Sequence, residues 1–190
     1  MESRFALKEF PRLQTDRLIL RQGEKKDCQA IFELYSCESV VAYMPLAPFA
    51  DIQEAIDEMN WHQRIFAEGT GMRWLIEEKE SGKVIGTCGF LNFDHTHNRI
   101  EIGYDLSPDF WGQGLMKEAA DRVISFGFSL MKVNRIEARV EPENGASMRL
   151  MDKLGFHKEG VLRQLEFEKG KYVDLAVFSL LLSEYEMRNG

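Results

Sequence analysis

The chain has 190 residues, 44% of them hydrophobic and 29% charged, with 31 acidic side chains against 24 basic ones. That is the length of one globular domain; the chain is too apolar for a disordered segment, and no apolar run approaches the roughly 20 residues that span a bilayer. A formal charge of −7 argues against nucleic-acid binding, which rests on Lys and Arg at phosphates, and is compatible with a cationic substrate.

Taken in chain order, the opening MESRFALKEFPRLQTDRLILR lacks the basic-then-apolar order of a secretory signal. Leu18–Leu20, flanked by Arg17 and Arg21, reads as a first strand preceded by the polar Thr15 and Asp16. From Glu24 to about Cys37 the apolar residues Cys28, Ile31, Phe32, Leu34 and Tyr35 recur at helical spacing. Pro45 and Pro48 interrupt helix, because proline lacks an amide donor and restricts the residue before it. A second helix is expected from Asp51, its cap, to Ala67, with Ile52, Ala55, Ile56, Met59, Gln63 and Phe66 on one side.

The period then changes. Arg73–Glu77, Val84–Phe93 and Arg99–Leu106 read as three strands of an antiparallel meander, turned at Ser81-Gly82 and at Asp94-His95-Thr96-His97-Asn98. Leu115–Leu130 is a helix with a broad apolar face, Arg135–Val140 a strand, and Ala146–Leu154 a helix stopped by Gly155. Val161–Phe167 and Lys171–Leu182 form a closing strand pair, so the class is α+β in a single domain spanning residues 1–190.

Two segments carry chemistry. In Ser107-Pro108-Asp109-Phe110-Trp111-Gly112-Gln113-Gly114-Leu115-Met116-Lys117 a strand ends, two glycines follow and a long helix begins. Free amides at a helix start suit an anionic phosphate, and glycine lets backbone approach a ligand closely, although a plain strand-to-helix turn has the same look. No GK[ST] follows and the third glycine of a dinucleotide fingerprint is missing, so neither of those phosphate loops is present. The second segment, Glu141-Pro142-Glu143-Asn144-Gly145-Ala146-Ser147-Met148-Arg149-Leu150-Met151-Asp152-Lys153-Leu154-Gly155-Phe156, follows strand 135–140.

EIGYDLSPDFWGQGLMKEA followed by NxxSxxLMxKLGF resembles the GNAT acetyltransferases, and the opening Leu13-Gln14-Thr15-Asp16-Arg17-Leu18-Ile19-Leu20-Arg21 is similar to the LxTxRLxLR start of the RimJ/RimL branch, which acetylates ribosomal-protein N-termini. The likeness runs from about residue 12 to 182. It implies the GNAT fold, a mixed and mostly antiparallel sheet flanked by helices, in which strands 99–106 and 135–140 (the fourth and fifth of this reading) splay apart. It also implies acetyl-CoA as cosubstrate. Its pyrophosphate is expected on the amides of Gly112, Gln113, Gly114, Leu115, Met116 and Lys117, and its pantetheine on the strand edge at Asp105 and Leu106. Asn144 matches a position that hydrogen-bonds CoA, and Asn144-Gly145 equally suits a turn and helix cap. Trp111 stands where many relatives have Arg or Gln, and Met116 where many have a second small residue.

Acetyl transfer needs a neutral amine, a polarised thioester oxygen and help for the departing thiolate. Many GNAT enzymes present a tyrosine at the position held here by Met151; RimL-like relatives carry a serine, here Ser147, as the donor to sulfur. Ser147 equally suits a helix first turn, and Tyr104 and Tyr172 are alternative donors. Glu166, in Leu162-Arg163-Gln164-Leu165-Glu166-Phe167, is the first candidate base and Glu101 the second. An α-amino group with pKa about 7.7–8.0 is roughly 10% neutral near pH 7, against about 0.04% for a lysine at about 10.4, so weak base assistance favours peptide N-termini. The expected acceptor is a protein N-terminus, with a small amine (a polyamine, amino sugar or antibiotic) or a non-catalytic acyl-CoA-binding module as alternatives.

Other residues point to bland roles. His95 and His97 lie in a polar turn with no further Cys or His at ligand spacing, so no metal is expected. Cys28, Cys37 and Cys88 read as reduced thiols of a cytoplasmic protein. Trp61 and Trp74 suit core positions, and Glu54, Asp57 and Glu58 suit a solvated helix face or the wall of an amine groove. No nucleic-acid or membrane partner is expected, and a homodimer is left open.

Overall fold

A computed structural model describes residues 7–189, so the reading of the first six residues lies outside it. An eight-stranded sheet holds the described chain together: β1 (Leu13–Gln14), β2 (Leu18–Arg21), β3 (Met72–Glu78), β4 (Val84–Asp94), β5 (Arg99–Leu106), β6 (Arg135–Val140), β7 (His157–Glu168) and β8 (Lys171–Leu181). The spatial order is β1-β2-β3-β4-β5-β6-β8-β7, and β5–β6 is its one parallel neighbour pair. The helices are α1 (Cys28–Tyr35), α2 (Glu38–Val41), α3 (Ile52–Ala67), α4 (Leu115–Ser129), α5 (Gly145–Leu154) and α6 (Leu182–Asn189).

Helices cover both faces of the sheet, which explains why β3 is continuously buried from Met72 to Ile76 in place of alternating. Met72, Trp74 and Ile76 point to the core under α4, while Leu75 points to a second core under α1 and α3. On α4, Leu115, Ala119, Ala120, Val123 and Phe126 are buried, as its apolar stripe requires. Asp51 caps α3 as expected: its side chain accepts from the Gln53 amide at 2.8 Å, and Glu54 closes the capping box. The buried face of α3 differs from the sequence reading. It runs through Ala55, Met59, His62 and Ile65, leaving Ile52 and Gln63 exposed, with Ala55 and Met59 packed into the second core.

Three elements depart from expectation. The first helix ends at Tyr35, and the chain restarts as the short α2. β7 begins at His157, earlier than expected, directly after the left-handed Gly155 that ends α5 (φ 81°). Leu182 opens α6 instead of closing β8, and Arg188 of α6 ties back to α5 by donating to the Leu154 carbonyl at 2.9 Å.

The feature that positions the site is an opening in the sheet. β5 and β6 pair only at Arg99↔Arg135, Ile100↔Ile136 and Glu101↔Glu137, after which they diverge, although β5 continues to Leu106 and β6 to Val140.

Candidate active site

The loop from β5 into α4 begins with a turn in which the Ser107 and Pro108 carbonyls accept from the Phe110 and Trp111 amides. Gly112 (φ 74°) and Gly114 (φ 77°) adopt the left-handed conformation that glycine takes without strain. The Gln113 carbonyl accepts from Arg17 Nη1 at 3.0 Å, and the Gln113 amide side chain donates to the Asp109 carbonyl. The Trp111 indole donates to the Leu106 carbonyl at 2.7 Å. Among the described residues, the first amide after Trp111 to find a backbone acceptor is that of Glu118, bonded to the Gly114 carbonyl. The amides from Gly112 to Lys117 are therefore available to a ligand, at the positive end of the α4 dipole. The side chains of Leu115 and Met116 are buried, and Lys117 pairs with Asp121, so it is backbone that this loop offers.

A latch distant in sequence fixes the loop. Glu118 accepts from Thr15 Oγ1, from the Arg17 amide at 2.9 Å and from Arg17 Nε at 2.7 Å. Its pKa is lowered: burial pushes it up, but these donors outweigh burial. Arg17 thus lays a guanidinium against the loop, a contribution that the sequence motif placed on a strand and did not connect to the glycines.

The edge of β5 corrects one expectation. The Ser107 amide donates to the Ile85 carbonyl across to β4, and the Asp105 carbonyl lies so close to Gly86 that a side chain there would meet it at 2.3 Å. Backbone groups of alternate residues share a side, so Asp105 faces β4, while Ile102, Tyr104 and Leu106 face the opening. The Asp105 carboxylate is also committed: its Oδ2 accepts from Tyr35 at 3.0 Å, Thr87 at 2.9 Å and Arg73 Nη2, all in the core. The backbone of Tyr104, not that of Asp105, lies on the edge facing the opening together with Leu106, whose carbonyl accepts from Trp111.

Across the opening, Asn144 caps α5, its Oδ1 accepting from the Ser147 amide at 3.1 Å. Ser147 Oγ lies 2.6 Å from the Tyr104 hydroxyl, joining the first turn of α5 to β5. Burial pushes the Tyr104 phenol well above its ordinary range, so it stays protonated at neutral pH. Met151 is fully buried in the α4 core and does not reach the opening. Tyr172 is exposed on the β7–β8 hairpin, stacked edge-on against Phe167.

The opposite face of the sheet carries carboxylates and guanidiniums side by side. Ile100 and Ile102 pack under α4, so by alternation Glu101 points to the other side, as does its register partner Glu137. There a cavity of about 80 Å³ is lined by Asn92, Arg99, Ile100, Glu101, Glu137 and Arg139. A bulge in β4 after Leu91, with Asn92 left-handed (φ 51°), aims the Asn92 amide at Glu101, 3.0 Å away. Both candidate bases meet on one guanidinium: Arg139 is 3.6 Å from Glu101 and 3.7 Å from Glu166. Beside them Glu141 and Glu168 are buried and form no ion pair among the described residues. The Glu168 carboxyl has a raised pKa, first through burial and then through Glu141 and Glu166.

The remaining candidates have structural partners. Glu54 caps α3, Asp57 accepts from Gln53, and Glu58 pairs with the buried His62 at 3.1 Å. His95 contacts the Gly69 carbonyl, and among the described residues no group of three or more His, Cys, Asp and Glu could hold a metal. Trp74 is buried, whereas Trp61 is partly exposed. Among the described residues no helix is long and apolar enough to cross a membrane.

The comparisons with known proteins agree with this geometry. A family profile described as "Acetyltransferase (GNAT) domain" matches residues 17–157. An uncharacterized N-acetyltransferase, p20, of Bacillus licheniformis is 43% identical, over 91% of this chain and 97% of its own length. A spermidine N(1)-acetyltransferase of Vibrio cholerae is 25% identical over 91% of this chain and 98% of its own length. A crystal structure of a GNAT acetyltransferase from Bacillus anthracis superposes with a TM-score of 0.82 at 25% identity, covering 92% of this chain and all (100%) of its own. The chain belongs to the GNAT family of acetyltransferases.

Proposed function

We propose that this protein transfers the acetyl group of acetyl-CoA to a primary amine by direct attack, and that its acceptor is the α-amino group of a protein N-terminus, a ribosomal protein foremost. The observation that carries the reading is the meeting of two surfaces at the β5–β6 opening: unpartnered amides on the α4 side and, on the other, a groove lined by Glu101 and Glu137 together with Arg99 and Arg139. The residues present fit the cosubstrate. The amides of Gly112, Gln113, Gly114, Leu115, Met116 and Lys117 hold its phosphates, the edge at Tyr104 and Leu106 pairs with its pantetheine, and Asn144 holds the same arm. Acetyl-CoA supplies the acetyl group as an activated thioester. Anionic phosphates are thus met by amides and Arg17, which reconciles cofactor binding with a net charge of −7.

On the other side, Glu101 and Glu166 draw the acceptor cation into the groove and receive its proton, with Glu166 first in rank. Arg139 lies within ion-pair distance of both carboxylates and holds them on one side of the groove. An α-amine, roughly 10% neutral near pH 7, needs little more than orientation there, whereas a lysine-like amine at about 0.04% needs a strong base. The motif at Thr15 and Arg17 supports the RimJ/RimL-like reading, and reduced thiols at Cys28, Cys37 and Cys88 suit a cytoplasmic place of action.

A second reading, a small polyamine acceptor, is favoured by the Glu141–Glu166–Glu168 cluster, whose buried charge a second ammonium would offset. The two are separated by competition: peptides with Ala or Ser N-termini against spermidine and spermine, products read by mass spectrometry. The first reading expects a higher kcat/KM for peptides; a preference for polyamines gives the second, and CoA binding without any acetylated product leaves a binding module.

A further inference from the structure

We infer that Tyr104 is a positioning residue for the acetyl transfer: it donates its hydroxyl proton to Ser147 Oγ and so turns the Ser147 hydroxyl toward the departing sulfur. This rests on the proposed cosubstrate and adds the residue that sets the direction of the donor. The pair is 2.6 Å apart and spans the gap between β5 and the start of α5. A phenol is a better donor and an aliphatic hydroxyl a better acceptor, so the shared hydrogen belongs to Tyr104. Burial keeps that phenol protonated. Ser147 is held at its other end, its amide bonded to Asn144 Oδ1, and its Oγ has no further hydrogen-bond partner among the described residues. With one lone pair engaged by Tyr104, the serine proton points away from Tyr104, into the opening.

In the reaction the amine nitrogen forms a bond to the acetyl carbon and the carbon–sulfur bond breaks, its electron pair leaving on sulfur. Ser147 donates a hydrogen bond to that thiolate. The proton lost by the amine passes through the groove to solvent, and the thiolate takes a proton from solvent on release. Tyr104 keeps its own proton throughout, so no step moves a proton from a phenol with raised affinity for it.

The test uses CoA as the probe and follows thiolate absorbance of the protein–CoA complex against pH. The bound thiol should have a lower pKa than free CoA. Tyr104→Phe and Ser147→Ala should each return it toward the free value and reduce kcat about tenfold with little change in KM for acetyl-CoA. The double variant should be no worse than Ser147→Ala alone, since Tyr104 acts through that hydroxyl. Turnover that persists with an unchanged bound-thiol pKa in both variants, or additive losses in the double variant, overturns the inference and leaves the acetyltransferase reading intact. Failure of CoA to bind the wild-type protein overturns both. If Tyr104→Phe does not fold, Ser147→Ala must still raise the bound-thiol pKa and Ser147→Thr must restore it; an unchanged value in Ser147→Ala overturns the inference.

Discussion

Asp105 sits between Tyr104 and Leu106, which face the opening in the sheet, and its replacement by alanine is expected to unsettle the whole centre of the sheet. Its Oδ2 is the common acceptor for Tyr35, Thr87 and Arg73, and Arg73 is only 6% exposed. Arg73 Nε also donates to Thr87 at 2.8 Å, so the alanine variant leaves a buried guanidinium with one neutral partner. Breaking a buried pair from one side costs about 3–5 kcal/mol, a large share of the roughly 5–15 kcal/mol that holds a domain together. At about 2–4 °C per kcal/mol for a chain of this size, the midpoint should fall by roughly 6–20 °C. Asp105→Asn keeps an acceptor and should lose about half as much. The double variant Arg73→Met/Asp105→Leu removes both charges together and should recover part of the loss. Urea unfolding followed by circular dichroism measures all three. Asp105→Ala within about 1 kcal/mol of wild type would refute the reasoning, as would a double variant less stable than the single one.

Three further outcomes follow from the same geometry. Gly114→Ala should weaken acetyl-CoA binding and cost about 1–2 kcal/mol in stability, measured by calorimetry and thermal melts, because φ is 77° there; space is not limiting, the nearest side-chain atom lying 3.7 Å from the added carbon. Met151→Tyr should not supply a donor to sulfur: the position is fully buried, so kcat should not rise and stability should fall by about 1–3 kcal/mol. The His62 imidazole has a lowered pKa through burial, only partly opposed by Glu58, so the unfolded chain binds its proton more readily. Stability should therefore decline as pH falls below about 6.5, and His62→Gln should flatten that decline in unfolding curves taken from pH 7.5 to 5.

Local signals in the sequence were strong enough to locate most elements and the glycine turn that opens α4. The strands Arg99–Leu106 and Arg135–Val140 have the expected bounds, because alternation or a β-branched run is cut off by polar turns on both sides. The glycines of the α4 loop and the Asn144 cap were legible for the same reason: each acts within a few residues of itself. What escaped depends on partners far along the chain. No breaker separates Leu181 from Leu182, so α6 was hidden in an apolar run, and its docking rests on Arg188 reaching Leu154. The side of β5 that faces the opening is decided by its register with β4, which no pattern within β5 records, and Asp105 was therefore placed on the wrong edge. The Thr15–Arg17–Glu118 latch, the Tyr104–Ser147 pair and the sharing of Glu101 and Glu166 by Arg139 likewise join segments that are remote in sequence.

Direct acetyl transfer from acetyl-CoA to an amine held in the groove beside Glu101 and Glu166 leaves a simple stoichiometric signature. It is tested most directly by mixing protein, acetyl-CoA and a peptide with a free Ala or Ser N-terminus, then measuring free CoA thiol and intact masses of peptide and protein together. Thiol and acetylated peptide should appear in equal amounts, with no acetyl group on the protein when peptide is left out. An acetylated protein accumulating without acceptor, or thiol released with no acetylated amine, would contradict it.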